Sequence, residues 1–336
     1  MDIEQISQLE IFKETLTSSH LNDAIKRHPK MSFEDLRNEL SRKKILFNSM
    51  DEKRAMEILT DLNYYYKLTV YRRNFVKDIN GEYVNLEFST LADLASVDMQ
   101  LRYLLLAATL DIEHAMKTFL ITAVTNNSDI NGYEIVERFF HSTIGTEYET
   151  SKEKILEKVR HKSHYQRELY EAHKDAPSVW VLVEVMNFGE FLRLFEFYFR
   201  KYPTPEFDSK AMSGILNAVK RVRNCCAHNN AFLFYLSRNE ITHINTYISR
   251  YSENAGVGKA FYSCTKVHDV IAVIFSHDFF VKGLGSRKHR QLDLMNLAER
   301  SLDRFAYLEN DNDIIYFFKA LKLILLNYEV ERRNIS

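Results

Sequence analysis

Arg223, Asn224 and His228 are residues whose types and spacing could do chemistry, and they lie in the run Lys220-Arg221-Val222-Arg223-Asn224-Cys225-Cys226-Ala227-His228-Asn229-Asn230. An always-charged guanidinium offers a planar fork to an anion. An imidazole, with an ordinary pKa of about 6.5, can take and return a proton at neutral pH. The segment from Lys210 to Leu236 has no proline and a single glycine, which predicts one helix. Ile215, Val219, Val222 and Cys226 recur at i, i+4, i+7 and i+11 and form an apolar stripe. At about 100° per residue, Asn224 and His228 share a face nearly opposite that stripe, with Arg223 on its flank. A cation, an amide and an imidazole therefore point away from the local core. The same three residues would also suit an ordinary solvated helix face, so the pattern alone leaves both readings open.

The elements that must position them are helical. Nine glycines and four prolines in 336 residues are too few for the turns of a sheet-rich fold. With 45 Lys+Arg against 46 Asp+Glu, the net charge of −1 creates no global field toward nucleic acid or an anionic membrane, so any such contact must use local patches. Cys225, Cys226 and Cys264 form no CxxC pair, which points to a reducing compartment without structural zinc. The acidic start MDIEQISQLEIFKE has no signal-peptide core, and the most apolar run, Tyr103 to Leu110, is too short to cross a membrane. A cytoplasmic protein with no membrane partner is expected. No HExxH, Gly-x-Ser-x-Gly or dinucleotide fingerprint occurs. Asn254 to Ala260 is only superficially like a phosphate loop, with Ala260 where Ser or Thr would hold Mg²⁺. No cofactor and no metal are expected.

Three regions follow from the pattern. Residues 1–85 read as an N-terminal helical region with a turn or small hairpin at Asn80-Gly81, and Ser32 with Asp35 forms a capping box that opens a helix at Phe33. Within it, Tyr64-Tyr65-Tyr66 leads to Arg72-Arg73, aromatics among bases that suit either packing or nucleobase stacking. Residues 86–237 read as a helical bundle. Its first helix spans about Ser89 to Thr125, with Leu101, Leu105, Ala108 and Ile112 on the apolar face and Arg102, Glu113, His114 and Lys117 on the rest. Ser151 to Lys174 reads as a charged outer helix, and Val179 to Phe195 as a buried helix holding Trp180, with Pro177 in its first turn. Residues 238–336 read as a C-terminal helical region with a basic spot at Arg287-Lys288-His289-Arg290.

Taken together, the chain resembles the Abi-like abortive-infection family of the AbiD/AbiF type. The resemblance rests on Tyr64-Tyr65-Tyr66-Lys67-Leu68 through Phe75, on Asp98-Met99-Gln100-Leu101-Arg102 leading into a helix with Glu113 and Lys117, and on Trp180…Glu184…Phe188-Gly189 followed by Arg223-Asn224…His228. It covers about residues 36–234. That family is similar to the HEPN superfamily, whose hallmark is Arg, a polar residue and a nearby His. Asn230 and Ala231 depart from it, standing where relatives often carry further bases.

The resemblance implies an all-α, HEPN-like helical bundle at residues 86–237 in a phage-defence protein. By it the chain is a metal-independent endoribonuclease that dimerises so that two motifs share a cleft, attacking phosphorus with the ribose 2′-hydroxyl. Arg223, Asn224 and His228 would be catalytic; Lys220, Arg221, Arg72, Arg73 and Tyr65 would bind RNA; Glu113 and Lys117 would support. The implied partners are the RNA substrate, a second copy of the chain and a small noncoding RNA regulator, as in a toxin–antitoxin pair. The alternative is a non-catalytic RNA- or protein-binding helical module of such a system.

Overall fold

The computed structural model describes residues 19–142, 148–161, 163–236, 240–308 and 312–328. The fold is all-α, with one short two-stranded ladder named among the described residues. The chain divides into two compact units, Met1–Asp93 and Leu94–Ser336. The expected 86–237 bundle and 238–336 region thus share the second unit almost entirely.

In the first unit, α1 (Ser19–Arg27) precedes α2 (Phe33–Arg42). The capping box at the start of α2 is complete: Ser32 Oγ accepts from the Asp35 N–H at 3.1 Å, and the Asp35 carboxylate accepts from the Ser32 N–H at 3.1 Å. Those bonds from Ser32 hold the Asp35 carboxyl below the usual carboxylate range. Strand β1 (Ile45–Leu46) pairs in parallel with β2 (Leu86–Glu87), and α3 (Glu52–Glu57) and α4 (Tyr65–Val70) lie between them in the chain. The Asn80-Gly81 turn is a small hairpin, with Gly81 at φ +79° and a bridge from Lys77 to Tyr83. Leu40, Ile45, Leu59, Leu68, Tyr71 and Leu86 are the buried core, and the Phe47 and Phe88 rings stack at 4.8 Å.

Helix α5 (Phe88–Asn126) has 39 residues, is about 58 Å long and belongs to the second unit from Leu94 on. Leu101, Leu105, Ala108, Ile112, Met116, Leu120 and Val124 form its buried stripe. Then come α6 (Glu134–Ser142), α7 (Tyr148–Glu157), α8 (Arg167–His173), α9 (Val179–Val185), α10 (Phe188–Lys201) and α11 (Ser209–Ala227). The C-terminal part adds α12 (Thr246–Asn254), α13 (Lys259–Tyr262), α14 (Thr265–Phe280), α15 (Leu284–Arg304) and α16 (Asp313–Asn327). Helix α11 packs between α10 and α14, which joins the expected C-terminal region to the motif helix. Phe119, Phe195, Phe199, Phe207 and Phe280 meet in one aromatic cluster with centroids 4.7–6.2 Å apart.

Four expectations change. The helix expected to run to Leu236 stops at Ala227, because Asn229 turns left-handed and the backbone then bonds elsewhere. The expected Val179–Phe195 helix is two, because Met186 is extended and Asn187 caps a new helix with Glu190. Trp180, expected in the core, is 43% exposed; its ring covers Gly132, where an added Cβ would come within 1.8 Å of it. The charged segment 151–174 likewise breaks into α7 and α8, with His164 Nδ1 accepting from the Gln166 N–H at 3.1 Å between them.

Candidate functional site

The motif occupies the last turn of α11 and the residue beyond it. Its helix starts where Asp208 accepts two backbone N–H groups, and its apolar stripe, Ile215, Val219, Val222 and Cys226, is buried as the spacing requires. On the other side, Arg223 is half-buried and Asn224 and His228 are exposed. Arg223 Nη1 donates to Asn224 Oδ1 at 3.2 Å, which lines the guanidinium up along the amide. Arg223 Nε is shielded from solvent and has no hydrogen-bond partner among the described residues. His228 caps the helix: its N–H donates to the Asn224 carbonyl at 3.0 Å, and its imidazole makes no hydrogen bond to any described residue. A guanidinium, an amide and an unencumbered imidazole are thus offered on one exposed edge.

The turn that ends this edge is built tightly. Asn229 sits at φ +56°, and its N–H donates to the Cys226 carbonyl at 3.1 Å while the Asn230 N–H reaches the Cys225 carbonyl at 3.0 Å. This pair of bonds around a left-handed residue is a Schellman cap, and asparagine is the side chain other than glycine that tolerates it best. Its side chain is held from far away in the sequence. Arg102 Nη1 donates to Asn229 Oδ1, across 127 residues of chain, and Arg102 Nε donates to Asp98 at 2.8 Å. The other Asp98 oxygen accepts the Phe232 and Leu233 N–H groups at 2.8 and 2.7 Å. Asp98 and Arg102 are 0% and 1% exposed. A buried carboxylate with a cation and two amides around it has its charge well met, and it fixes the backbone on the far side of His228.

Lys266 on α14 braces the same segment, donating to the Phe234 carbonyl and lying over the Phe234 ring at 3.4 Å. Burial lowers its pKa to about 8, against the opposing pull of Cys225 and Asp98. Burial raises both neighbouring thiols, Cys226 to about 12, so neither serves as a ready thiolate at neutral pH. The roles of Arg102, Asn229 and Lys266 were not read from the sequence, where Arg102 stood among the polar, outward residues of its helix. The available signals were two charges four apart in an apolar helix and an Asn-Asn pair after the last stripe residue.

The remaining candidates are spread out. Lys220 is half-buried, its alkyl chain beside Gly189. Arg221 makes a two-pronged pair with Asp269 of α14, at 3.0 and 2.7 Å, so its charge ties α11 to α14, and that bond raises its pKa. Glu113 and Lys117 pair with each other at 3.4 Å, and Glu113 lies about 16 Å further along α5 than Arg102. Arg72, Arg73 and Tyr65 belong to the first unit, where they line a groove. The basic spot of the C-terminal region is partly structural. Arg287, 0% exposed, donates to the Asp278 and Val281 carbonyls at 2.7 and 3.0 Å, and Arg290 pairs with Asp111 at 2.7 Å.

Among the described residues no cluster of three or more His, Cys, Asp or Glu side chains gathers as a metal site, and no helix is long and apolar enough to cross a membrane. No curated protein and no solved structure matches the chain. The family model for Abi-like proteins matches residues 57–233, more than half of the chain, and this span holds both Asp98-Arg102 and the Arg223-Asn224…His228 edge. The chain therefore belongs to the Abi-like family of abortive-infection, phage-defence proteins.

Proposed function

We propose that the protein is a metal-independent endoribonuclease of the HEPN type, active as a homodimer and restrained by a small noncoding RNA until infection. The observation that carries the reading is the exposed Arg223, Asn224 and His228 edge, closed by a cap that two buried charges on another helix hold in place. A solvated helix surface needs no such anchoring, whereas a proton-transfer group must be held to a fraction of an ångström.

In the proposed reaction the ribose 2′-hydroxyl oxygen bonds to phosphorus as the bond to the 5′-oxygen breaks, leaving a 2′,3′-cyclic phosphate and a 5′-hydroxyl. One group must take the 2′ proton and another must protonate the leaving oxygen. Arg223 neutralises the extra charge on the phosphoryl oxygens, and Asn224 aligns the guanidinium. A single His228 can be base or acid within one step, not both; the His228 of a second copy supplies the other role.

The test is parallel expression of wild type and His228→Ala, with growth followed and total RNA inspected. Toxicity and fragments ending in 2′,3′-cyclic phosphate are expected from wild type alone, a loss of at least a hundredfold in cleavage for the variant. Equal cleavage by both proteins would overturn the assignment. A monomer that cleaves at full rate would overturn the shared cleft.

A further inference from the structure

The first unit carries a groove that the reading above leaves unused. It has a volume of about 640 Å³ and is walled by the end of α1, the end of α2 and the segment from α4 into Arg73. Arg27, Arg42, Lys43, Arg72 and Arg73 bring five permanent cations to it, with His28 beside them, against one carboxylate, Glu39. Glu39 is already used, bonded to Lys43 at 2.7 Å and to Arg42, and the Lys43 bond, with the Arg42 and Arg72 charges, keeps its pKa below the usual value. Among the described residues that line it, the groove therefore carries more positive than negative charge, in a chain whose net charge is −1.

Two further features narrow what would fill it. Arg72 Nη1 is shielded from solvent and has no hydrogen-bond partner among the described residues. A buried guanidinium N–H left unmade is costly, and the same Arg72 guanidinium lines the groove, where its charge would meet an anionic oxygen. Along the same wall stand Tyr65 and Tyr66, Tyr66 76% exposed although Tyr71 five residues on is fully buried. A tyrosine left in water beside clustered guanidiniums offers a flat apolar face next to an anion site, the pairing that a base joined to a phosphate requires. The volume lies within the range of small-ligand sites and suits one nucleotide better than a helix.

We propose that this groove binds a nucleoside phosphate, the phosphate on Arg72, Arg73 and Arg42 and the base on Tyr66. The shared chemistry fits a free mononucleotide or the 5′-phosphorylated terminal nucleotide of an RNA. The proposal is independent of cleavage at His228, because AMP has no internucleotide bond to cut.

Calorimetric titration of the full-length protein separates the outcomes, using AMP, adenosine, inorganic phosphate and two short RNAs that differ only in a 5′-phosphate or a 5′-hydroxyl. AMP or the 5′-phosphorylated RNA should bind at least tenfold tighter than adenosine, phosphate and the 5′-hydroxyl RNA. AMP equal to the phosphorylated RNA makes the free nucleotide a sufficient ligand; a further tenfold gain for the RNA makes an RNA end the occupant. Arg73→Glu and Arg42→Ala, both at exposed positions and checked for helical content by circular dichroism, should each weaken binding about tenfold or more. Tyr66→Ala should weaken AMP several-fold and leave phosphate unchanged. Phosphate binding as tightly as AMP, no binding at millimolar AMP and RNA, or folded Arg73→Glu binding like wild type would each overturn it.

Discussion

Helix α5 carries two buried polar knots about 13 residues, or roughly 20 Å, apart, and they are built for opposite purposes. At one, Asp98 and Arg102 meet as charges, fully enclosed, and reach out to hold the turn after His228. At the other, Asp111 meets His277 at 3.4 Å and Arg290 at 2.7 Å, and His277 Nδ1 meets the Tyr328 hydroxyl at 2.7 Å. Burial pushes the His277 pKa down to about 4, with Arg287 and Arg290 adding to the fall and the Asp111 bond and charge opposing it. The ring is therefore neutral, and its partners fix the tautomer: Nε2–H donates to Asp111 and Nδ1 accepts from Tyr328. The first knot spends a buried ion pair on the turn after His228. The second uses a neutral imidazole to tie α14 and the end of α16 to α5. The same sequence thus holds one histidine exposed at a helix end and another enclosed among its partners.

The comparison is broken most directly at Asp98. Asp98→Ala leaves Arg102 enclosed without its carboxylate and frees two backbone N–H groups, so a loss of roughly 3–5 kcal/mol in urea unfolding is expected. A loss under about 1 kcal/mol would show that the first knot is not a closed charge pair. The second knot is tested by pH. Because the folded His277 pKa lies below the ordinary 6.5, the unfolded chain takes up its proton first. Its contribution is full above about 6.5 and is lost as pH falls toward about 4, at most about 3 kcal/mol across that window. His277→Gln should flatten the fall, read by calorimetry at pH 7 and pH 4.5; an unchanged slope would remove His277 as its source.

The smallest effects should come from Asn229, which sharpens how the first knot serves the site. Asn229→Gly keeps the left-handed turn but removes the acceptor of Arg102, about 1–2 kcal/mol. Asn229→Ala adds the strain of a positive φ, roughly another 1 kcal/mol. Cleavage should fall in both variants more than stability does, if the turn holds His228 in register. Cleavage unchanged in Asn229→Gly would make the cap structural only.

Features set by a few neighbouring residues are legible in the chain itself. The Ser32 and Asp35 box needs only four residues of chain, and the stripe of α11 needs only its period, so both appear in the structure as the spacing predicts. The Asn80-Gly81 turn is equally local. Arg102 shows where that reasoning stops. Four residues after Asp98 on a helix, it has the spacing of an ordinary surface ion pair, and only the arrival of a segment from beyond residue 228 encloses it. Trp180 errs the other way: an apolar neighbourhood suggested burial, but Gly132 gives its ring a backbone to cover at the surface.

The sequence by itself determined the helical class and which side of α11 faces water, because a 3.6-residue period and a shortage of glycine and proline are properties of the chain alone. It also determined that Arg223, Asn224 and His228 share an edge. Only the tertiary structure decided that His228 ends its helix rather than riding on it, and that Asp98 and Arg102 hold the next residues in place. It decided too that Arg221 is bound to Asp269 while Arg72 keeps an unmade bond in a groove. The reason is physical: a side chain's direction follows from local geometry, but its partners follow from which distant segments the core brings against it.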